Sequence, residues 1–252
     1  MNSLPARAYG MIRRPRATFA AILASPERSR RAAPAWASVL ITSTVITFVC
    51  TAGFLQTGVG QQALADQWER TALAFGQTVD DVQYARMEDT AASRPFGVAY
   101  ATVTTLANGP VLAFALSGLL FLVLNRTTGH SSGVAPSAPR VSFSQVLAVV
   151  CYAGVILALR QIVATPIDYV RESTGSPTTL MQFFSMLDEA SPVARFLGVI
   201  DLFVVWWIVV LAIGMSVLYR LSTRRLALVF TGAYVALALL AALAMAVSGG
   251  TA

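Results

Sequence analysis

The sequence predicts an all-α, polytopic membrane protein: a bundle of five transmembrane helices with an N-terminal amphipathic helix and short extracytoplasmic helices. Three observations predict it. Only 12% of the 252 residues are charged and 56% are hydrophobic, where a soluble domain carries about 25% charged residues. So few ions cannot coat a water-facing surface. Mean hydropathy is +0.66. The charges are also clustered, which leaves five apolar stretches long enough to cross about 30 Å of hydrocarbon at about 1.5 Å per residue.

The first 35 residues read as an Arg-rich tail. Between Pro15 and Pro26, Phe19, Ile22 and Leu23 share one helical face, flanked by Arg13, Arg14 and Arg16. Such a helix either lies on anionic headgroups, its apolar side in the acyl boundary, or packs on its own bundle. The first span, about 36–56, is not expected to be a cleaved signal, because a long polar segment precedes it and no A-x-A site follows.

The second span covers about 96–124 and contains Asn108-Gly109-Pro110 near its middle. Proline removes a backbone donor and clashes with the carbonyl four residues back, so a kink is expected there. A broken helix in a transporter binds substrate; a structural bend is the plainer meaning. Gly109, Ala113 and Ser117 follow at four-residue spacing, a stripe small enough for a neighbouring helix to approach closely. The Gly-, Ser- and Pro-rich stretch from Thr127 to Pro139 is expected to be a flexible linker. Spans three, four and five cover about 143–164, 196–219 and 226–248.

The loops between spans carry two helical signals. Thr78-Val79-Asp80-Asp81 places a carboxylate three residues after a hydroxyl, a helix start, and Ser93-Arg94-Pro95 stops that helix. Ser176-Pro177 reads as an N-cap with proline at the first helical position, and Leu180, Phe183, Phe184 and Leu187 would line one apolar face.

Charge orients the chain. All 18 basic residues are Arg, and 12 of them (Arg7, Arg13, Arg14, Arg16, Arg28, Arg30, Arg31, Arg126, Arg140, Arg220, Arg224 and Arg225) fall on the side of the N-terminus. The opposite loops hold only Arg70, Arg86, Arg94, Arg171 and Arg195, with ten of the twelve acids. The positive-inside rule therefore places the N-terminus in the cytoplasm and the C-terminus outside. The pI near 9.9 does not indicate a nucleic-acid partner, because the arginines are spread over membrane-flanking loops without a recognition motif.

Two ionisable groups fall inside the spans. Arg160 precedes the end of span three by four residues, and Asp201 follows the start of span four by five, so they reach similar depth. An intramembrane charge needs a partner, and these two form a candidate ion pair, either structural or part of an ion pathway. Nothing resembles an active site: HExxH, GxSxG and a phosphate-binding glycine loop are absent, and His130 stands alone in the linker. Asp80, Asp81, Glu88 and Asp89 read as a solvated acidic face, and Cys50 and Cys151 as small apolar residues within spans. No catalytic, cofactor or metal residue is assigned.

The order of these elements resembles the Yip family, the Ypt/Rab-interacting membrane proteins, and in particular its bacterial-type members. The resemblance rests on Tyr9, Ile12-Arg13-Arg14-Pro15, Thr18-Phe19, Ile22-Leu23 and Pro26, on Gly109-Pro110, and on Phe143-Ser144-Gln145-Val146-Leu147. It rests further on Ile200-Asp201-Leu202-Phe203-Val204-Val205-Trp206-Trp207, Gly214, Ser222 and Arg224-Arg225. It implies a Yip-type membrane domain over 36–248, with 1–35 as a cytoplasmic tail, 249–252 as a short outer tail, and a bacterial inner-membrane location. Eukaryotic relatives act in vesicle traffic through small GTPases. Here the acidic element that precedes Gly-Pro in the family is replaced by Ala107-Asn108.

The expected function is a non-enzymatic scaffold or accessory subunit of a membrane complex. Its expected partners are anionic lipid at the N-terminal segment and another membrane protein or a second copy. The alternative is a small transporter or channel subunit using the kinked second span and the Arg160/Asp201 region. A continuous polar cavity would favour the alternative.

Overall fold

The computed structural model describes residues 3–24, 35–131, 141–174, 176–184 and 192–249. Among the described residues there are twelve α-helices and no strand. They are α1 (Leu4–Arg13), α2 (Pro15–Ala24), α3 (Ala35–Leu55), α4 (Gly58–Ala74), α5 (Asp81–Ala92) and α6 (Arg94–Leu106). After a π-helical turn at Ala107–Val111 come α7 (Leu112–Ser131), α8 (Phe143–Ala153) and α9 (Val155–Val170). A 3-10 turn at Leu180–Phe183 precedes α10 (Pro192–Val199), α11 (Leu202–Tyr219) and α12 (Thr223–Gly249).

Five helical segments among the described residues are long and apolar enough to cross a membrane: Trp36–Leu55, Arg94–Thr127, Phe143–Val170, Leu202–Tyr219 and Thr223–Ala244. The chain is a multi-pass membrane protein. Its spans leave apolar side chains uncovered, as a lipid solvent requires: Ile41, Val45 and Val49 form an exposed stripe at four-residue spacing along α3.

The described residues divide into two compact units. The first takes the chain up to Val45, Leu106–Ala158 and Trp206–Thr231. Its core holds Met11, Phe19, Val146, Val149, Tyr152 and Met215, all buried. Gly214 of α11 makes this packing possible: a Cβ there would lie 2.4 Å from Val149 Cγ1 and 2.8 Å from Phe19 Cζ. Arg7 Nη1 donates to the hydroxyl of Tyr152 at 3.0 Å, tying α1 to α8. Span three opens on a capping box, in which Ser142 Oγ accepts from the Gln145 amide and Gln145 Oε1 accepts from the Ser142 amide.

The second unit takes Ile46–Thr105, Leu159–Val205 and the chain from Gly232. Its core gathers Leu55, Leu64, Ala65, Ala91 and Ala101, with Trp68 set edge-on to Phe96 at 5.6 Å between ring centroids. Helix α4 ends in a paired turn, the Gln77 amide donating to Ala72 O and the Gly76 amide to Leu73 O. Gly76 has φ 72°, which a Cβ would oppose. Helices α4 and α5 pack on each other, and the Tyr84 hydroxyl of α5 donates to Asp66 Oδ1 of α4 at 2.6 Å. That carboxylate holds the phenol's proton and raises its pKa from 10.0 to about 12.

Several boundaries differ from those expected. The helix expected to start at Thr78 is capped by Asp80 instead: its Oδ1 accepts from the Gln83 amide at 2.7 Å, and Gln83 Oε1 closes the box. Helix α4 has no counterpart in the sequence expectation, although Thr57 Oγ1 caps its start by accepting from the Gly60 amide. Span three continues past Pro166 to Val170, six residues beyond Ala164. Helix α7 runs to Ser131, so the first part of the expected linker, His130 included, is helical, while 132–140 lie outside the described residues. Pro26, Arg28, Arg30, Arg31, Arg140 and Leu187 also lie outside them.

Candidate functional site

Asp201 was expected inside a continuous fourth span. The helix is instead interrupted there: α10 stops at Val199 and α11 starts at Leu202. The interruption has a donor-acceptor cause. Residues 200–202 lie against the 178–180 segment as an isolated antiparallel bridge, in which the Leu180 amide donates to Ile200 O at 2.8 Å and the Leu202 amide to Thr178 O at 3.0 Å. Backbone groups used in that bridge are lost to a helical ladder. Asp201 then caps the new helix, its Oδ1 accepting from the amides of Phe203 at 2.8 Å and Val204 at 3.3 Å.

The other carboxylate oxygen meets three side chains. Arg160 Nε of α9 lies 2.7 Å from Asp201 Oδ2, the one ion pair among the described residues. Ser176 Oγ donates to the same oxygen at 2.8 Å and Thr178 Oγ1 at 2.7 Å. Arg160 Nη2 also donates to Ser176 Oγ at 2.7 Å. From α12, the Tyr234 hydroxyl accepts from the Asp201 amide at 3.1 Å and donates to Val199 O at 2.8 Å. The side chain of Asp201 is 6% exposed and that of Arg160 28%. A carboxylate offers about four lone-pair sites, and five donors converge on this one, two at Oδ1 and three at Oδ2. The node joins α9, the 176–180 segment, the α10–α11 break and α12.

Ser176-Pro177 does not begin a helix; Ser176 turns its hydroxyl to this node, and a 3-10 turn follows at Leu180–Phe183. Phe183 and Phe184 are exposed. Sequence reasoning did not single out Thr178 or Tyr234. The run Ser176-Pro177-Thr178-Thr179 carried a signal, since three hydroxyls beside a span end are natural donors to a charge at interface depth.

The Asn108-Gly109-Pro110 element is a π-turn, its widened ring closed by the Leu112 amide donating to Ala107 O. Proline at 110 deprives Leu106 O of its usual donor, and one extra residue per turn absorbs the loss. A Cβ on Gly109 would sit 3.4 Å from Thr44 Oγ1, so α3 approaches at this position. Ala113 is half-buried, and Ser117 is buried with its hydroxyl donating to Ala113 O at 2.6 Å. Asn108 is exposed.

At the N-terminus, Phe19 is fully buried against Gly214, so it serves packing and is not on a lipid-facing side. Ile22 and Leu23 are half-buried, and Arg13, Arg14 and Arg16 are exposed. Arg13 stacks on Tyr9, 5.6 Å from the ring centroid, and donates to its hydroxyl at 2.8 Å. No group of three or more His, Cys, Asp or Glu side chains with metal-holding geometry occurs among the described residues.

Comparison with known proteins gives one match: the family model described as the Yip1 domain covers residues 9–245. It begins within α1 and takes in every span. No curated protein and no solved structure matches significantly.

Proposed function

This chain belongs to the Yip1 domain family, and from that premise we propose that it is a non-enzymatic scaffold or accessory subunit of a membrane complex. The family is one of membrane proteins, and a non-enzymatic role in the membrane accords with it. The observation that carries the finer reading is the saturation of Asp201. A group that relays ions must exchange partners, whereas this carboxylate is fixed by five donors and ties four segments together. Its chemistry is that of a structural latch. The exposed Arg13, Arg14 and Arg16 beside a packed Phe19 supply a basic patch suited to anionic headgroups, with the N-terminus on the cytoplasmic face.

Purification from native membranes in mild detergent, with stoichiometry read by native mass spectrometry, tests the proposal. A partner chain or a second copy retained at fixed ratio is expected. Proton or ion flux catalysed by the purified chain in liposomes, and abolished by Asp201→Asn without loss of fold, would overturn it in favour of transport.

A further inference from the structure

A cleft of 180 Å³ opens within the second unit, and its polar lining includes Thr51, Arg160, Gln161, Thr165, Asp168 and Thr174. At about 30 Å³ per water it has room for a ligand headgroup of a few heavy atoms. Asp168 Oδ1 is buried there and has no hydrogen-bond partner. Leaving a buried carboxylate oxygen unpaired is costly. The nearest cations do not hydrogen-bond to it. Arg160 directs Nε to Asp201 and Nη2 to Ser176, and Arg171 donates to Gln182.

Two of the hydroxyls lining the cleft have their protons committed. Thr165 Oγ1 donates to Gln161 O at 2.8 Å, and Thr174 Oγ1 donates to Ala63 O at 3.2 Å. The Gln161 amide nitrogen donates to Thr51 Oγ1 at 3.4 Å and to Thr165 Oγ1 at 3.2 Å. What these groups still offer the cleft is acceptor capacity. With the Arg160 charge balanced by Asp201, the carboxylate of Asp168 leaves the lining of the cleft with a net negative charge. A ligand that fits must bring several N–H donors and a positive charge on a small head.

We propose that this cleft binds a primary ammonium, with Asp168 as its counter-ion and the threonine oxygens as further acceptors. The ammonium comes either from an ethanolamine lipid headgroup or from a soluble amine. A quaternary ammonium is excluded chemically, since it has no N–H to give. The site does not rest on the scaffold proposal: Arg160 and Ser176, which also line the cleft, already donate to Asp201, and the ammonium needs acceptors only.

The test uses the full chain in nanodiscs and reads the thermal unfolding midpoint. One arm titrates ethanolamine into phosphatidylcholine discs, with choline at equal ionic strength as control; the other compares phosphatidylethanolamine with phosphatidylcholine discs. Stabilisation by ethanolamine but not choline is expected if the source is soluble. Stabilisation by the ethanolamine lipid alone identifies a headgroup, and either result supports the site. Asp168→Asn keeps the shape but removes the charge, and should raise the half-saturating concentration, or reduce the lipid effect, by about tenfold. Equal effects of ethanolamine and choline, no effect of either amine source, or an unchanged response in a folded Asp168→Asn protein would each overturn the proposal. If that variant does not fold, the ethanolamine-choline comparison on the unaltered chain still decides.

Discussion

Replacing Asp201 by Ala removes acceptors from five donors at once. Loss of the N-cap contributes about 1 kcal/mol. Stranding the guanidinium of Arg160 adds about 3 kcal/mol, the lower end of the range for broken buried pairs, because that side chain keeps 28% exposure and some hydration. About 4 kcal/mol is therefore expected for Asp201→Ala. Arg160→Ala should cost less, about 2 kcal/mol, since Ser176, Thr178 and two amides still solvate the remaining carboxylate. Were the two sites independent, the double variant would lose about 6 kcal/mol. Removing both charges leaves neither one stranded, so the stranding cost drops out and about 3 kcal/mol is expected, a coupling of about 3 kcal/mol. Unfolding by SDS in mixed micelles, followed by circular dichroism, measures all four corners. Additivity within about 0.5 kcal/mol would refute the latch as an energetic unit.

Other expectations follow from the packing, the termini and the α4–α5 contact. Gly214→Ala should cost about 1–3 kcal/mol by overpacking, and Phe19→Leu in the same chain should recover part of it, because the ring is one of the two groups a Cβ would strike; a neutral Gly214→Ala would refute that packing. A cytoplasm-only reporter should be active when fused before Trp36 and silent after Ala252, and activity at both ends would exclude an odd number of crossings. The Tyr84 phenol, raised from 10.0 to about 12, contributes its bond to Asp66 fully below about pH 10 and loses it as pH rises through about 12. The tyrosinate absorbance lost in Tyr84→Phe should therefore titrate near 12, and a midpoint near 10 would refute the bond.

The sequence alone determined that five helices cross the membrane, because hydropathy is a sum over neighbouring residues and a membrane measures that sum over about 20 of them. It also marked Pro110 in span two, where a missing N–H is a property of one residue, and the structure holds a π-helical turn there. It put Arg160 and Asp201 at similar depth by counting from span ends, and the structure brings them together. Tertiary structure decided what each of these does. Apolarity did not reveal that the fourth span is cut at Ile200-Asp201, since Thr178 and Leu180 take those backbone groups from 20 or more residues away in sequence. Nor did it reveal that Ser176 gives its hydroxyl to a carboxylate instead of capping a helix. Phe19 looked equally suited to lipid and to protein, because both are apolar solvents for a ring; only Gly214, nearly two hundred residues on, leaves the space that buries it. Hydrophobic transfer is written locally in a chain, whereas the pairing of each polar group depends on which distant group the fold brings within 3 Å.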